Sequence, residues 1–249
     1  MSFVRAESRG GLAVLTLVRP RANAFTPELV VQISEALTAS GDAGAIVLAS
    51  ALPGIFSAGW DLPELISMDR KAFEAFVLAY CDLVRQLFVY PRPVVAALPG
   101  HAIAGGLILA AAADERIAAS GRGELGLSEV LLGVPVPACL LEVFRHAIGP
   151  RATERLASTG ENLSVERALA AGLIDRVVPP ESLLAEAESR ARVLADRPRE
   201  AHAAIKRRTR AAATDRFDQA RGGDPFFDFW FSRDAQSRIR ALVDRLTKK

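Results

Sequence analysis

The sequence is short of the residues that bind metals or staple small secreted folds: its 249 residues include two cysteines and three histidines. Cys81 and Cys139 lie far apart and lack CxxC spacing, so they read as reduced core residues. With the histidines they make no metal-ligand pattern. Excess charge of either sign is lacking too. Against 31 Lys and Arg stand 29 Asp and Glu, a net +2, which removes the electrostatic case for nucleic-acid binding. Only local basic clusters remain to meet a phosphorylated ligand. No hydrophobic run is long enough for a bilayer: the uncharged stretch Ala102–Ala113 falls short of the ~20 residues a spanning helix needs. The opening segment "MSFVRAESRGG" has no apolar core of a signal peptide, so no membrane contact and a cytoplasmic location are expected.

What is present is apolar material, 50% of the residues, ample for the core of one large domain or a domain with a small appendage. "GLAVLTLVRP" (11–20) alternates and is rich in β-branched residues, which predicts a strand stopped at Pro20. Thr26 followed by Pro27 starts a helix through "TPELVVQISEAL". "AIVLAS" (45–50) and "PVVAAL" (93–98) are continuous apolar runs, the pattern of strands buried on both faces. Helices are predicted over Ala72–Phe88 and Leu107–Ala113, and a short strand at "ERIAAS" (115–120). This order implies parallel strands covered by helices, an α/β arrangement. Beyond Pro137 the pattern is helical, through "CLLEVFRHAIG", "RATERLAST", "SVERALAAG", 182–195 and 199–213, broken only by a strand at "LIDRVVP". The division expected is a strand-rich core over 1–195 and a helical C-terminal region over 196–249.

Two loops leave the apolar strands alike: "AIVLAS" runs into "FSAGWDL", and "PVVAAL" into "PGHAIAGGL". Ligands of parallel sheets collect beyond the carboxyl ends of strands, and glycines there let backbone approach closely. Two such loops side by side would aim two unpaired N–H donors at one oxygen, the layout of an oxyanion hole. Tight packing of helix on strand asks for the same glycines. Spacing alone leaves both open.

The ordered set "FSAGWDL", "PGHAIAGGLILAAAADERIAA" and "GLSEVLLGVPVP" resembles the crotonase, or enoyl-CoA hydratase/isomerase, superfamily, over nearly the whole chain from "RPRANAFTPEL" to "ERALAAGLIDRVVP". The resemblance implies the ClpP/crotonase-like ββα spiral core, an acyl-CoA partner, and homotrimers or dimers of trimers formed through the C-terminal helices. It implies no separate cofactor, coenzyme A being part of the substrate, and no metal. By position, the N–H groups of Trp60 and Gly105 would hold the thioester oxygen. The Ala58 carbonyl and the loop at Arg21 and Ala22 would receive the coenzyme A end, although "RPRANAF" is one residue shorter than the common hydratase pattern. Arg19 and Arg21 also read as solvated loop charges.

Hydratases of this family use two glutamates. The place of the first is taken here by Ile108, which carries no proton, whereas the second matches Glu129. One carboxylate still suffices to move a proton from C2 to C4 across a stabilised enolate, with Ile108 keeping water out and raising the carboxyl pKa. The pattern is accordingly similar to the 3,2-trans-enoyl-CoA isomerase (dodecenoyl-CoA isomerase) branch, also through "PGIFSAGWDLPEL" and "FSRDAQSRIRALVDRL". Pro135, Val136 and Pro137 are expected to shape the pocket, and the Trp60 indole to line or shield it while only its amide acts. The alternatives are a hydratase working through Glu129, another crotonase-type lyase or hydrolase, and a non-catalytic acyl-CoA binder. Glu124 and His101 are lesser candidates for acid–base work. Asp61 is expected to cap a helix or pair with a basic neighbour, and Asp114 to begin a strand or turn. The aromatic cluster Phe226–Phe231 suits a staple for the last helix better than a ligand cage.

Overall fold

The computed structural model describes residues 1–247. The first half runs β1 (Val4–Arg9), β2 (Leu12–Leu17), α1 (Pro27–Ala39), β3 (Ala45–Ser50), β4 (Ile55–Ser57), α2 (Leu62–Leu65), α3 (Arg70–Phe88), β5 (Val94–Leu98), β6 (His101–Ile103), α4 (Gly105–Ala111), β7 (Glu115–Ala119) and β8 (Glu124–Gly126). There follow α5 (Ala138–Thr159), β9 (Asn162–Ser164), α6 (Val165–Ala170), β10 (Arg176–Val178), α7 (Leu183–Ala195), α8 (Arg199–Ala220), α9 (Phe226–Trp230) and α10 (Arg233–Thr247).

The large sheet has the order β1-β2-β3-β5-β7-β10, and its strands from β2 to β10 are parallel. Every residue of β2 is buried, as an apolar run covered on both faces must be. Strand alternation splits these side chains between two layers. Leu15, Leu17, Ile46, Leu48 and Val94 pack under α1, α3 and α5. Leu12, Val14, Val47, Val95 and Ile117 meet Leu183, Ala187 and Ala191 of α7 on the other face. The edge strand β1 escapes prediction because only Val4 of its residues is buried. It exists because the Gly10-Gly11 turn, with φ 58° and 83°, folds it back antiparallel on β2.

The helices follow their caps. Thr26 accepts from the Leu29 N–H at 3.3 Å with Pro27 at the first position of α1. Within α5, Gly149 (φ 78°) followed by Pro150 separates the two helical stretches read in the sequence. Cys81 on α3 and Cys139 on α5 are buried free thiols whose sulfurs lie 3.4 Å apart. No helix among the described residues is long and apolar enough to cross a membrane.

The C-terminal helices do not stand apart. Phe217, Phe226, Trp230 and Ile239 belong to the same hydrophobic cluster as the central strands. Helix α8 is also tied to the core by charge. Asp114, at the turn before β7, accepts the Val94 N–H (2.7 Å), Lys206 Nζ (2.8 Å) and an Arg210 guanidinium nitrogen (2.9 Å). Lys206 and Arg210 are themselves buried, and burial pushes the Lys206 ammonium down to about 8 against the pull of Asp114. Arg210 further donates to the Ala112 carbonyl at 3.1 Å and stacks on the Phe88 ring.

Candidate active site

The site rests on a second, smaller sheet that the sequence pattern conceals. Strands β4, β6 and β8, three residues each, lie side by side and parallel, with β9 antiparallel at the edge. β4 and β6 sit inside the loops that follow β3 and β5, β8 follows β7, and all three are too short to show periodicity. Their carboxyl ends open into a cavity of about 930 Å³. Trp60 follows β4, Gly105 follows β6 and Glu129 follows β8, and all three line that cavity.

The Trp60 backbone is fixed by a bridge to Phe25. The Phe25 N–H donates to the Gly59 carbonyl (2.7 Å) and the Asp61 N–H to the Phe25 carbonyl (2.9 Å), leaving the Trp60 N–H on the opposite edge, without a partner among the described residues. Gly59 has φ 91°, and a Cβ there would stand 2.9 Å from the Ile103 carbonyl oxygen, so a side chain is excluded twice. Gly105 heads α4, and its N–H is one of the helix's orphan donors. A Cβ on Gly105 would stand 2.8 Å from the Trp60 ring, and one on Gly106 2.4 Å from the Ser57 carbonyl oxygen. The glycine pair therefore serves close packing, and that packing brings the two free amides to one cavity. Ala104, held at φ 49°, turns the chain into α4, with its N–H on the Gly126 carbonyl at 2.8 Å.

Glu129 begins a short 3₁₀ turn, Glu129–Leu132. Its Oε2 is sealed from solvent and has no hydrogen-bond partner among the described residues. Burial pushes the carboxyl up to about 7, opposed only by its own backbone N–H. Ile108 is buried in the same wall. Asp61 is the other carboxylate lining the cavity, and it is engaged: it accepts from Arg19 at 2.6 Å and caps α2 through the Glu64 N–H at 3.1 Å. Among the described residues, Glu129 is thus the one uncommitted carboxyl in the cavity lining.

At the mouth, Arg21 (φ 58°), Ala22 (φ 72°) and Asn23 (φ 48°) form a left-handed run of non-glycine residues. Hydrogen bonds hold it. Asn23 Nδ2 donates to Ser50 Oγ (2.8 Å) and the Phe56 carbonyl (2.9 Å), the Ser57 hydroxyl to the Asn23 carbonyl (2.8 Å), and the Ala58 N–H to the Ala22 carbonyl (3.0 Å). Arg21, Ala22 and Ala58 all line the cavity.

Residues 7–233 match the enoyl-CoA hydratase/isomerase family. The chain belongs to that family. It is 30% identical to the mitochondrial enoyl-CoA delta isomerase 1 of Rattus norvegicus, covering 99% of this chain and 88% of that protein. The crystal structure of human mitochondrial delta3-delta2-enoyl-CoA isomerase superposes with TM-score 0.95 at 28% identity, covering 99% of both chains. That of an enoyl-CoA hydratase from Mycobacterium ulcerans gives 0.86 at 31% identity, over 93% of this chain and 100% of the other. The crotonase fold and a hydratase/isomerase type of enzyme follow from these likenesses.

Within this crotonase framework some expectations change. Of Pro135, Val136 and Pro137 only Pro137 lines the cavity, joined there by Val134; Val136 instead belongs to the hydrophobic core. Glu124 is exposed and His101 half-exposed, 4.0 Å apart, and neither lines the cavity. Arg19 is no solvated charge, being paired with Asp61. The aromatic cluster is both staple and wall. Phe226 and Trp230 line the cavity and, with Phe73, Phe76 and Tyr80, surround the Trp60 indole at centroid distances of 5.2 to 6.3 Å. Replacing that indole by alanine would hollow out the aromatic floor, so Trp60→Ala alters folding before it tests the amide. The sequence reading missed Asn23, Ser57 and Tyr80, whose hydroxyl donates to the Gly105 carbonyl. An asparagine in a loop, tolerant of left-handed φ, was the available signal for the first.

Proposed function

We propose that the protein is an acyl-CoA isomerase that moves a double bond from position 3 to position 2 of an enoyl-CoA thioester. The observation that carries this reading is the lone uncommitted carboxyl, Glu129, held near neutrality beside a wall made by Ile108. A base of that pKa is matched to removing a C2 proton at physiological pH and returning it at C4. The free amides of Trp60 and Gly105 would carry the charge of the thioester enolate between the two steps. The Ala58 carbonyl and the Arg21–Ala22 turn would receive the coenzyme A end, and no separate cofactor enters the chemistry. Water addition is handled in family hydratases by two glutamates, and the residue at the first position here is an isoleucine.

A panel of 3-enoyl, 2-enoyl and β-substituted acyl-CoA thioesters tests the proposal. The expected result is rapid appearance of the conjugated 2-enoyl chromophore from 3-enoyl-CoA and little loss of it from crotonyl-CoA. Robust hydration of crotonyl-CoA without isomerisation would replace isomerase by hydratase, the activity named for the Mycobacterium ulcerans relative.

A further inference from the structure

We infer that Ser57 is a positioning residue for the thioester oxygen, an inference that rests on the oxyanion role proposed above for Trp60 and Gly105. Ser57 is fully buried and does not line the cavity, so it cannot touch substrate. It nevertheless meets three of the backbone segments that do. Its hydroxyl accepts the Gly59 N–H at 3.2 Å and donates to the Asn23 carbonyl at 2.8 Å. Its own carbonyl lies against Gly106, where an added Cβ would come within 2.4 Å.

The bond to Gly59 matters most. The peptide joining Gly59 to Trp60 carries one proposed oxyanion donor, and a glycine at φ 91° has no side chain to restrict its rotation. Hydrogen bonds on both sides of Gly59 restrict it instead: the carbonyl of that peptide is held by the Phe25 N–H at 2.7 Å, and the Gly59 N–H, which belongs to the preceding peptide and fixes where the rotation starts, by Ser57 Oγ. Among the described residues the Gly59 N–H has no other partner. The loop at the cavity mouth is held more redundantly. If the Ser57 hydroxyl is removed, Asn23 keeps Ser50 and Phe56 as partners, and Ala22 keeps the Ala58 N–H. Losing the hydroxyl should therefore loosen the direction of the Trp60 N–H while sparing the grip on coenzyme A. The expected signature is a fall in kcat with KM nearly constant.

Ser57→Ala tests this, with Ser57→Cys, which is slightly larger than serine and keeps a weak sulfur acceptor, as the second variant should alanine fold poorly. The first readout needs no turnover: the infrared carbonyl band of bound hexanoyl-CoA labelled with carbon-13 at the thioester carbonyl. In the wild-type protein the band should move to lower frequency on binding. In Ser57→Ala most of that displacement should vanish, with hexanoyl-CoA affinity unchanged within about twofold and kcat for 3-enoyl-CoA lower by roughly 10- to 100-fold. A displacement retained in full, or a KM that rises as steeply as kcat falls, would overturn the role of Ser57 alone. No displacement in the wild-type protein would overturn the oxyanion reading beneath it, and Ser57 with it.

Discussion

Glu129 and Asp114 are two sequestered carboxyls in one molecule, and their surroundings are opposite. Asp114 receives a backbone N–H, an ammonium and a guanidinium, all within 2.9 Å. Glu129 has an Oε2 with no partner among the described residues, in a largely apolar cavity. The first arrangement satisfies a charge and binds helix α8 to the core. The second withholds solvation from one carboxyl oxygen, which strengthens the hold on a proton and brings the carboxyl up to about 7. A carboxyl that fastens elements together and one suited to shuttle protons are told apart by what faces them.

The largest effect expected concerns Glu129 as a base. Glu129→Gln should lower isomerisation by roughly 10²- to 10⁴-fold with acyl-CoA binding retained; unchanged turnover would remove Glu129 from the chemistry. Asp114→Asn should leave turnover per folded molecule intact but cost about 3–5 kcal/mol of stability, because two buried cations lose their counter-charge. Denaturant unfolding measures it, and a loss under ~1 kcal/mol would mean the cluster is better solvated than its burial indicates.

A smaller effect separates the two carboxyls by sign. The Glu129 pKa rises from 4.5 to about 7 on folding. Between those values the folded protein binds more protons than the unfolded chain, so Glu129 makes stability fall as pH rises through that window. Glu129→Gln should therefore stabilise the protein by about 1–3 kcal/mol at pH ~8 and give no such gain at pH ~4. A variant less stable than wild type at the higher pH would contradict the unsolvated Oε2. The smallest effect belongs to the wall: the wild-type rate should climb with pH through about 7, and Ile108→Ala, by admitting water, should move that limb toward acid. A limb that stays in place would show that Ile108 does not set the solvation of Glu129.

Much of the fold was legible because burial on both faces leaves long apolar runs. The runs at 45–50 and 93–98, and the capped start of α1, lie where the pattern put them. β1 was not legible, since its largely exposed residues carry almost no apolar signal. Nor were β4, β6 and β8, each three residues long and stabilised by one another. The candidate site was legible as motifs, and the residues they named line one cavity apart from Pro135 and Val136. The network of Asn23, Ser50 and Ser57 was not, because small polar residues in a loop look alike until their partners are known.

The order of the chain by itself determined the parallel sheet and the close approach at the glycine pair, whereas the pairing of Glu129 with Ile108 was legible only through the resemblance to the crotonase superfamily. The first two follow from local chemistry: apolar periodicity and absent side chains. Only the tertiary structure decided that one Glu129 oxygen is sealed from solvent while Asp114 is neutralised, and that α9 and α10 complete the cavity. Solvation and electrostatic pairing depend on residues distant in sequence, which meet only when the chain has folded.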